Sequence, residues 1–303
     1  MLKRSGIALI AALLIAPSVL AESVTSRLDF VGSFRWRVED PAFGGFSAIE
    51  VKDDGLGFYA LSDRSSLVEG RFVRDERGRI TAIASGPAKP LTLKGGKPAE
   101  LDAEGLALSP DGALWISEET RHRVYGSPTP GQELVPLPPV PGSEKLIRNQ
   151  SFEGLAMDGK GALYTFPENP QSDSELPVYR FKDGKWTIPY TLRHDPEWLA
   201  VGADFGPDGR LYLLERGFGR LSGFRSRIRS FAITDISAGD EQVLLQTPFR
   251  QYGNLEGLSV WEDGEGYLVF TMISDDNFLP LLLHTDIVEY RSREALDRHA
   301  SRE

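Results

Sequence analysis

The stretch ELDAEGLALSPDGALWISEE, Glu100–Glu119, alternates apolar residues, turns on Asp111-Gly112, and alternates again. Period-two alternation on both sides of an Asp-Gly turn is the signal of a β-hairpin. Carboxylates stand at both ends of the hairpin. Glu104 opens the first strand and is followed at once by a glycine, while Glu118 and Glu119 close the second. In a hairpin the start of one strand lies beside the end of the next, so these acids are expected at the same edge.

The unit recurs along the chain. Ser47, Glu104, Glu153, Val201 and Glu256 each lie eight residues before a glycine, in SAIEVKDDG, EGLALSPDG, EGLAMDGKG, VGADFGPDG and EGLSVWEDG. These anchors follow one another at intervals of 57, 49, 48 and 55 residues, and a second apolar run follows each glycine: FYALSDR, ALWISEE, ALYTFPE, RLYLLER and GYLVFTM. Further strand patterns fill the units, so each offers about four strands, one blade of a β-propeller. The expected fold is all-β, a propeller of five blades by anchor count, with six left open if one blade lacks the anchor. The fifth unit has a third strand in LLLHTDIVEY but no fourth, and RLDFVGSFRWRV before the first anchor can supply it. The ring is then closed by strands from both ends of the chain. An open β-sandwich fits less well because sandwiches lack such repeats. Helical periodicity is nearly absent, and SREALDRHASRE at the C-terminal end is the best helix candidate.

Lys3 and Arg4, the apolar run Ile7–Ala16, and Val19-Leu20-Ala21 together read as a secretory signal peptide cut after Ala21. A membrane anchor fits less well, because the run is short and Pro17 interrupts it. Residues 22–303 are then a single propeller domain, expected in the periplasm or secreted, with no membrane insertion after cleavage and as a monomer. The chain carries a net charge of −10, and loss of Lys3 and Arg4 with the leader makes it −12. So acidic a chain is a poor ligand for nucleic acid or anionic membranes, but acidic clusters hold hard cations. There is no cysteine, which excludes disulfides, thiolate metal sites and a cysteine nucleophile. The four histidines are scattered without zinc-site spacing.

In a propeller the innermost strand of every blade lines the axis, so equivalent anchors converge. Glu104, Glu153 and Glu256 are then neighbours whose mutual repulsion asks for a cation, and a divalent ion, Ca²⁺ by its oxygen preference, is the natural one. The plainer alternative is that these glutamates staple each blade to the next, although a staple needed by every blade should not become Ser47 and Val201. The glycine behind each anchor, Gly105 for example, permits close approach of inner strands, or a bulge that re-aims the side chain before it. A second set falls at the ends of the second strands: Asp63, Glu119, Glu168 and Arg216, with Arg64 and Glu118 adjacent, and Asp275, Asp276 and Asn277 after the last strand. Asp63 and Glu119 join the three glutamates as candidate metal ligands. Arg64 and Arg216 can clamp an anionic substrate group, with Asn277 beside them, or can simply pair with neighbouring acids. Arg225, Arg227 and Arg229 alternate along one strand and read as a solvated face, with Arg220 as a second candidate at the border of the site. Tyr59, Trp115, Tyr164, Tyr212 and Tyr267 in the second strands fit an inter-blade core better than a stacking platform. No GxSxG elbow or GxxxxGK[ST] loop occurs.

The ordered set YALSDR, DAEGLALSPDGALWISEE, SFEGLAM, GADFGPDGRLYLLER, NLEGLSV and ISDDN, running from about Phe46 to Asn277, resembles the phytase-like family, also described as having esterase-like activity of phytase. The resemblance implies an exported β-propeller protein whose repeated acids carry phosphoester hydrolysis. Matched residue by residue, that role falls to Glu104, Glu153 and Glu256 as catalytic groups, and to Asp63, Glu118 and Glu119. Scarcity of lysine near the site argues against a substrate as highly phosphorylated as phytate. Two other functions stay open: a calcium-dependent lactonase or ester hydrolase of gluconolactonase-like type, with Glu104, Asn149, Asp204 and Asn254 as ligands, and a non-enzymatic ligand-binding propeller.

Overall fold

The computed structural model describes residues 25–127, 133–170, 172–279 and 282–296. They form a five-bladed β-propeller, five antiparallel sheets set in a ring, without an α-helix among the described residues. From axis to rim, blade 1 is Phe46–Val51, Gly57–Ser62, Ser66–Arg74 and Ile80–Ser85. Blade 2 is Ala103–Leu108, Leu114–Glu118, Arg123–Ser127 and Val135–Pro136. Blade 3 is Phe152–Met157, Leu163–Pro167, Tyr179–Lys182 and Lys185–Thr187. Blade 4 is Leu199–Phe205, Arg210–Gly219, Gly223–Ile233 and Ala238–Gln246. Blade 5 is Asn254–Glu262, Tyr267–Asp275, Asp286–Ala295 and, from the other end of the chain, Leu28–Arg35.

Closure is as the sequence predicts. Leu28–Arg35 pairs with Asp286–Ala295, and the preceding Thr25–Ser26 also adds to the rim of blade 4, so one segment ties two blades. The buried hydrophobic residues fall into five clusters, one between each pair of neighbouring blades. Tyr59, Trp115, Tyr164 and Tyr212 all belong to or pack on these clusters. Tyr267 instead lies under the Arg291 guanidinium, 3.9 Å from ring centroid to carbon. Where the ring closes between blades 5 and 1, Arg74 forks onto buried Glu289 at 2.6 and 2.9 Å.

Three expectations are corrected. Ser292–Ala295, read as the start of a helix, continue the third strand of blade 5, because Tyr267 and Leu28 lie on either side to complete their ladders; residues beyond 296 lie outside those described, as do residues 1–21, where a signal peptide is expected. The fifth hairpin turns at Gly266 rather than Gly264: Gly266 donates to the Asp263 carbonyl, as Gly112 does to Ser109, and both have positive φ. Its strands are longer than the other units led one to expect. Arg225, Arg227 and Arg229 are buried rather than solvated. Arg229 has no exposed surface and forks onto Glu215, with Glu241 as a further partner, while Arg227 joins Glu215 to Asp195. Trp198, in the crossing from blade 3, covers Arg225 and Arg227 at 4.3 and 4.4 Å and shuts water out of that face.

What positions the functional site is a break in every inner ladder. Register with the second strand shifts between Phe46 and Ala48, Ala103 and Leu106, Phe152 and Leu155, Ala200 and Gly202, and Leu255 and Gly257. Each shift spans the anchor, and an extra residue of this kind takes its side chain out of the ladder and re-aims it. The glycine beside it lets adjacent inner strands touch. A Cβ on Gly105 would collide with the Glu153 carbonyl oxygen and approach Leu155 N to 2.7 Å. The axial hole that remains, bordered by Ser47, Glu104 and Val201, is about 10 Å³, which is room for about one water molecule.

Gly105→Ala forces backbone apart at this contact. We expect a loss of about 1–3 kcal/mol, the usual cost of overpacking, seen as a lower midpoint in urea unfolding. Gly239→Ala, where an added Cβ meets nothing within 4 Å, is the control and leaves the midpoint in place.

Candidate active site at the mouth of the propeller

The last residue of each second strand that pairs with the inner strand lies opposite a residue one or two before the anchor of its own blade: Ser62 opposite Phe46, Glu118 opposite Ala103, Pro167 opposite Phe152, Arg216 opposite Leu199, and Asp275 opposite Asn254. The two sets of polar residues therefore share one mouth. One carboxylate oxygen each from Asp102, Glu104 and Glu119 lie within 4.8 Å of one another, and the same holds for Glu119, Glu153 and Glu168. Glu119 belongs to both groups. The acids at the two ends of the Glu100–Glu119 hairpin thus form one cluster, continued into blade 3.

Glu104 and Glu153 do not staple blades. Stapling falls to other residues: Ser47 Oγ donates to the Ala103 carbonyl at 2.7 Å, Ser117 Oγ to the Glu153 carbonyl at 2.8 Å, and Asp204 accepts Val260 N at 2.6 Å. Ser259 Oγ accepts Val51 N at 3.0 Å across the seam between blades 5 and 1. Ser47, the anchor that is not acidic in blade 1, is itself one of these ties. Glu104 and Glu153 accept no hydrogen bond from any described residue, although Glu153 is only 8% exposed. Glu256 is held differently. Its Oε1 takes Arg216 Nη1 and, at 2.7 Å, Asn254 Nδ2. Arg216 reaches across to Glu168 at 2.6 Å and to the Asn254 oxygen at 2.9 Å.

Arg216 is therefore an internal counter-ion, not a free substrate clamp. Burial works to lower its pKa, but Glu256, Glu153 and Glu168 outweigh that and raise it. Arg64 stays exposed, its guanidinium carbon 3.2 Å from the centroid of the Phe278 ring. Asn277 is exposed in a left-handed turn, its amide donating to Asp275 at 2.7 Å. Arg220 is exposed in the turn that follows Arg210–Gly219. Asp63 and Glu256 stand outside both three-carboxylate groups. The set suggested for a lactonase is dispersed in its engagements: Asp204 accepts backbone amides of Phe205 and Val260 and interacts with Glu50, Asn254 serves Arg216 and Glu256, and Asn149 is exposed. Asp102 and Glu168 complete the carboxylate groups. Asp102 sits two residues before Glu104, but it precedes the strand Ala103–Leu108 and the register shift, so strand alternation does not mark it from the sequence.

So many acids with one arginine among them cannot all ionise easily. Burial first, then the Glu256 carboxylate and other acidic neighbours, push Glu104 well above the usual carboxylate range. Glu153 rises strongly through burial and the nearby Glu168, with Arg216 opposing. Burial raises Glu119 to about 7, helped by Glu168, and Asp63 to about 6, where Arg64 pulls against it. Burial and Glu256 raise Asp275 to about 8. An all-oxygen, acid-rich, partly unbonded donor set of this kind is compatible with a hard divalent cation.

The residues 41–278 match the model of the phytase-like family, described as esterase-like activity of phytase. The chain belongs to the phytase-like family. No curated protein matches it significantly. Among solved structures it is similar to the catalytic domain of a GH62 α-L-arabinofuranosidase from Coprinopsis cinerea, at 12% identity and TM-score 0.55, over 90% of this chain and 99% of that one. It is also similar to a gluconolactonase from Xanthomonas campestris, at 16% identity and TM-score 0.42 over 77% and 68% of the two chains. At such identities only the fold is shared. No helix among the described residues of this phytase-like protein is long and apolar enough to cross a membrane.

Two outcomes follow from the charge balance. A carboxyl that holds its proton more tightly folded than unfolded stabilises the fold at acid pH and stops doing so as pH rises through its folded pKa. With Asp63, Glu119 and Asp275 raised to about 6, 7 and 8, the protein in chelator should lose melting temperature steadily between about pH 5 and pH 8. Added Ca²⁺ should raise the melting temperature more at pH 8 than at pH 5, because it competes with those protons. Differential scanning calorimetry checks both trends. Separately, Arg216→Met leaves Glu168 and Glu256 uncompensated and should cost about 3–5 kcal/mol at pH 8 in chelator. Urea unfolding should show that loss, and part of it should return with Ca²⁺.

Proposed function

We propose that this chain is an exported, metal-dependent phosphoester hydrolase working at the propeller mouth. The observation that carries the reading is Glu153, a carboxylate nine-tenths buried with no hydrogen-bond donor among the described residues, set against Glu119 and Glu168. Such a group is costly unless it stays protonated or meets a cation. Glu119, Glu153 and Glu168 on one side, and Asp102, Glu104 and Glu119 on the other, are the residues that would hold divalent metal, with Ca²⁺ the first candidate. Asp63 and Glu256, expected at first as ligands, serve better as neighbours that set the charge. A bound divalent ion would polarise a phosphoryl group and ease deprotonation of the attacking water.

The chain's own residues supply the rest. Arg216 holds Glu168 and Glu256 in fixed places and keeps the cluster from repelling itself apart. Asp63 borders the cleft beside the cluster, and its pKa of about 6 lets its carboxyl give a proton to a departing alcohol oxygen near neutral pH. Thr120 Oγ1 donates to Asp102 at 2.9 Å and orients that carboxylate. The leader-like residues 1–21 support placement outside the cytoplasm, and the net charge of −10 favours a small substrate over nucleic acid.

A panel of phosphomonoesters and phosphodiesters, assayed with Ca²⁺ or with chelator, tests the reading. Turnover should require metal, and Glu104→Gln and Glu119→Gln should each lower kcat by at least about 100-fold, the scale of a lost transition-state interaction. Asp63→Asn should lower kcat and remove the limb of the pH profile near 6. Glu69→Gln, which breaks only a surface pair with Lys52, should change neither. Folded protein that turns over no phosphoester with any divalent metal would overturn the proposal.

A further inference from the structure

Beside the carboxylate cluster lies a cleft of about 510 Å³, the size of a small-molecule site. It is continuous with the cluster, because Asp102 both lines it and stands with Glu104 and Glu119. Its wall is of two kinds. Arg64, Arg121 and Arg148 bring guanidinium groups, and Pro90 and Pro98 bring exposed apolar surface from the connection between blades 1 and 2, with Leu91 buried in the core behind them. That connection is held in place locally: Leu91 N donates to the Ser65 carbonyl at 2.8 Å, and Ala99 N to the Leu91 carbonyl at 2.9 Å. A chain that needed only to hold a polyol ester in this cleft would not need that apolar wall.

The three arginines are not equivalent. Arg121 is tied to the Glu100 carbonyl at 3.0 Å and to Glu118 at 3.4 Å. Arg64 is stacked on Phe278 beside Asp63. Arg148 is exposed and makes no hydrogen bond or ion pair with another described residue, so it is available to an anion. Against these cations the same wall sets Asp63, Glu100, Asp102 and Glu118. Four acids against three arginines give no surplus of positive charge for a ligand carrying many phosphates, and such a ligand would meet repulsion there.

Resting on the phosphoester reading of the adjoining acids, we propose that the cleft selects monophosphorylated esters of apolar alcohols, aryl or alkyl, over polyphosphorylated polyols. Arg148 holds the anionic group, and Pro90 and Pro98 hold the leaving group. Apolar burial then supplies selectivity, since a phenyl group removes more apolar surface from water than a methyl group does.

Phosphonates test this without turnover, because their carbon–phosphorus bond is not an ester. Isothermal titration in Ca²⁺ should show phenylphosphonate binding about tenfold tighter than methylphosphonate, and both tighter than inositol hexakisphosphate. Arg148→Ala should weaken both phosphonates about tenfold, and Arg148→Lys should recover part of the loss. Pro98→Ser, an exposed substitution, should reduce the phenyl preference and leave methylphosphonate unchanged. Equal affinity for the two phosphonates, tighter binding of the hexakisphosphate, or indifference to Arg148→Ala would each overturn the inference. Selective phosphonate binding without turnover of any phosphoester would support the cleft's selectivity and sink the hydrolase reading. Turnover of phenyl and glycerol phosphates with equal kcat/KM would keep the hydrolase reading and sink this one.

Discussion

Five inner strands meeting around an axis with room for about one water is the constraint on which the rest of this propeller depends. Side chains cannot all point into so narrow a hole, where a Cβ on Gly105 would already strike the backbone of the next blade. The chain answers with the same device in every blade, a register shift at the anchor. The shift frees the anchor from the ladder, and in blades 2 and 3 glutamates reach the mouth, where they meet the ends of the second strands. The gathering of carboxylates is thus a consequence of closing the ring tightly, and the residue type at the anchor decides whether the consequence is used. Ser47 uses it for a staple and Val201 for packing.

Electrostatics then divides the mouth. On the side of blades 4 and 5, Arg216 pairs with Glu256 and reaches across to Glu168 at the end of blade 3's second strand. On the side of blades 2 and 3, no cation among the described residues reaches Glu104 or Glu153 within hydrogen-bonding distance. The first half has its counter-ion built in, and the second has its counter-ion left to the solvent. Uncompensated acids at this depth cost stability, and such a cost persists most readily where a ligand cation offsets it.

The fold was legible because it repeats: five anchors at near-even spacing count the blades, and the orphan strand at the N-terminal end announces how the ring closes. Glu104, Glu119 and Glu153 were legible for the same reason. Asp102 was hidden because it precedes the strand and falls before the shift, where period-two reasoning loses its footing. Arg121 and Arg148 lie in connections that follow no repeat, so no alignment of blades points to them. The alternation of Arg225, Arg227 and Arg229 was visible, but its environment was not: a strand shows which side chains share a face, and only Trp198, thirty residues earlier and in the crossing from another blade, closes that face to water.

Repeated elements and unrepeated connections therefore carry different kinds of information. The blades supply a charged floor that any hard cation could satisfy, and many chemistries can be run over such a floor. What distinguishes one substrate from another has to come from the parts of the mouth that differ between blades. Here the largest such part is the segment that crosses from blade 1 to blade 2, whose short strand Lys89–Pro90 pairs back onto blade 1 while Leu93 bridges to Leu134 in blade 2. Anchored to both neighbours and by buried Leu91 to the core, it is stiff enough to present Pro90 and Pro98 as a wall and not as a loop that must be ordered on binding. A wall ordered in advance loses little entropy when a ligand arrives, so even a modest apolar contact there can decide between substrates that the acids alone would treat alike.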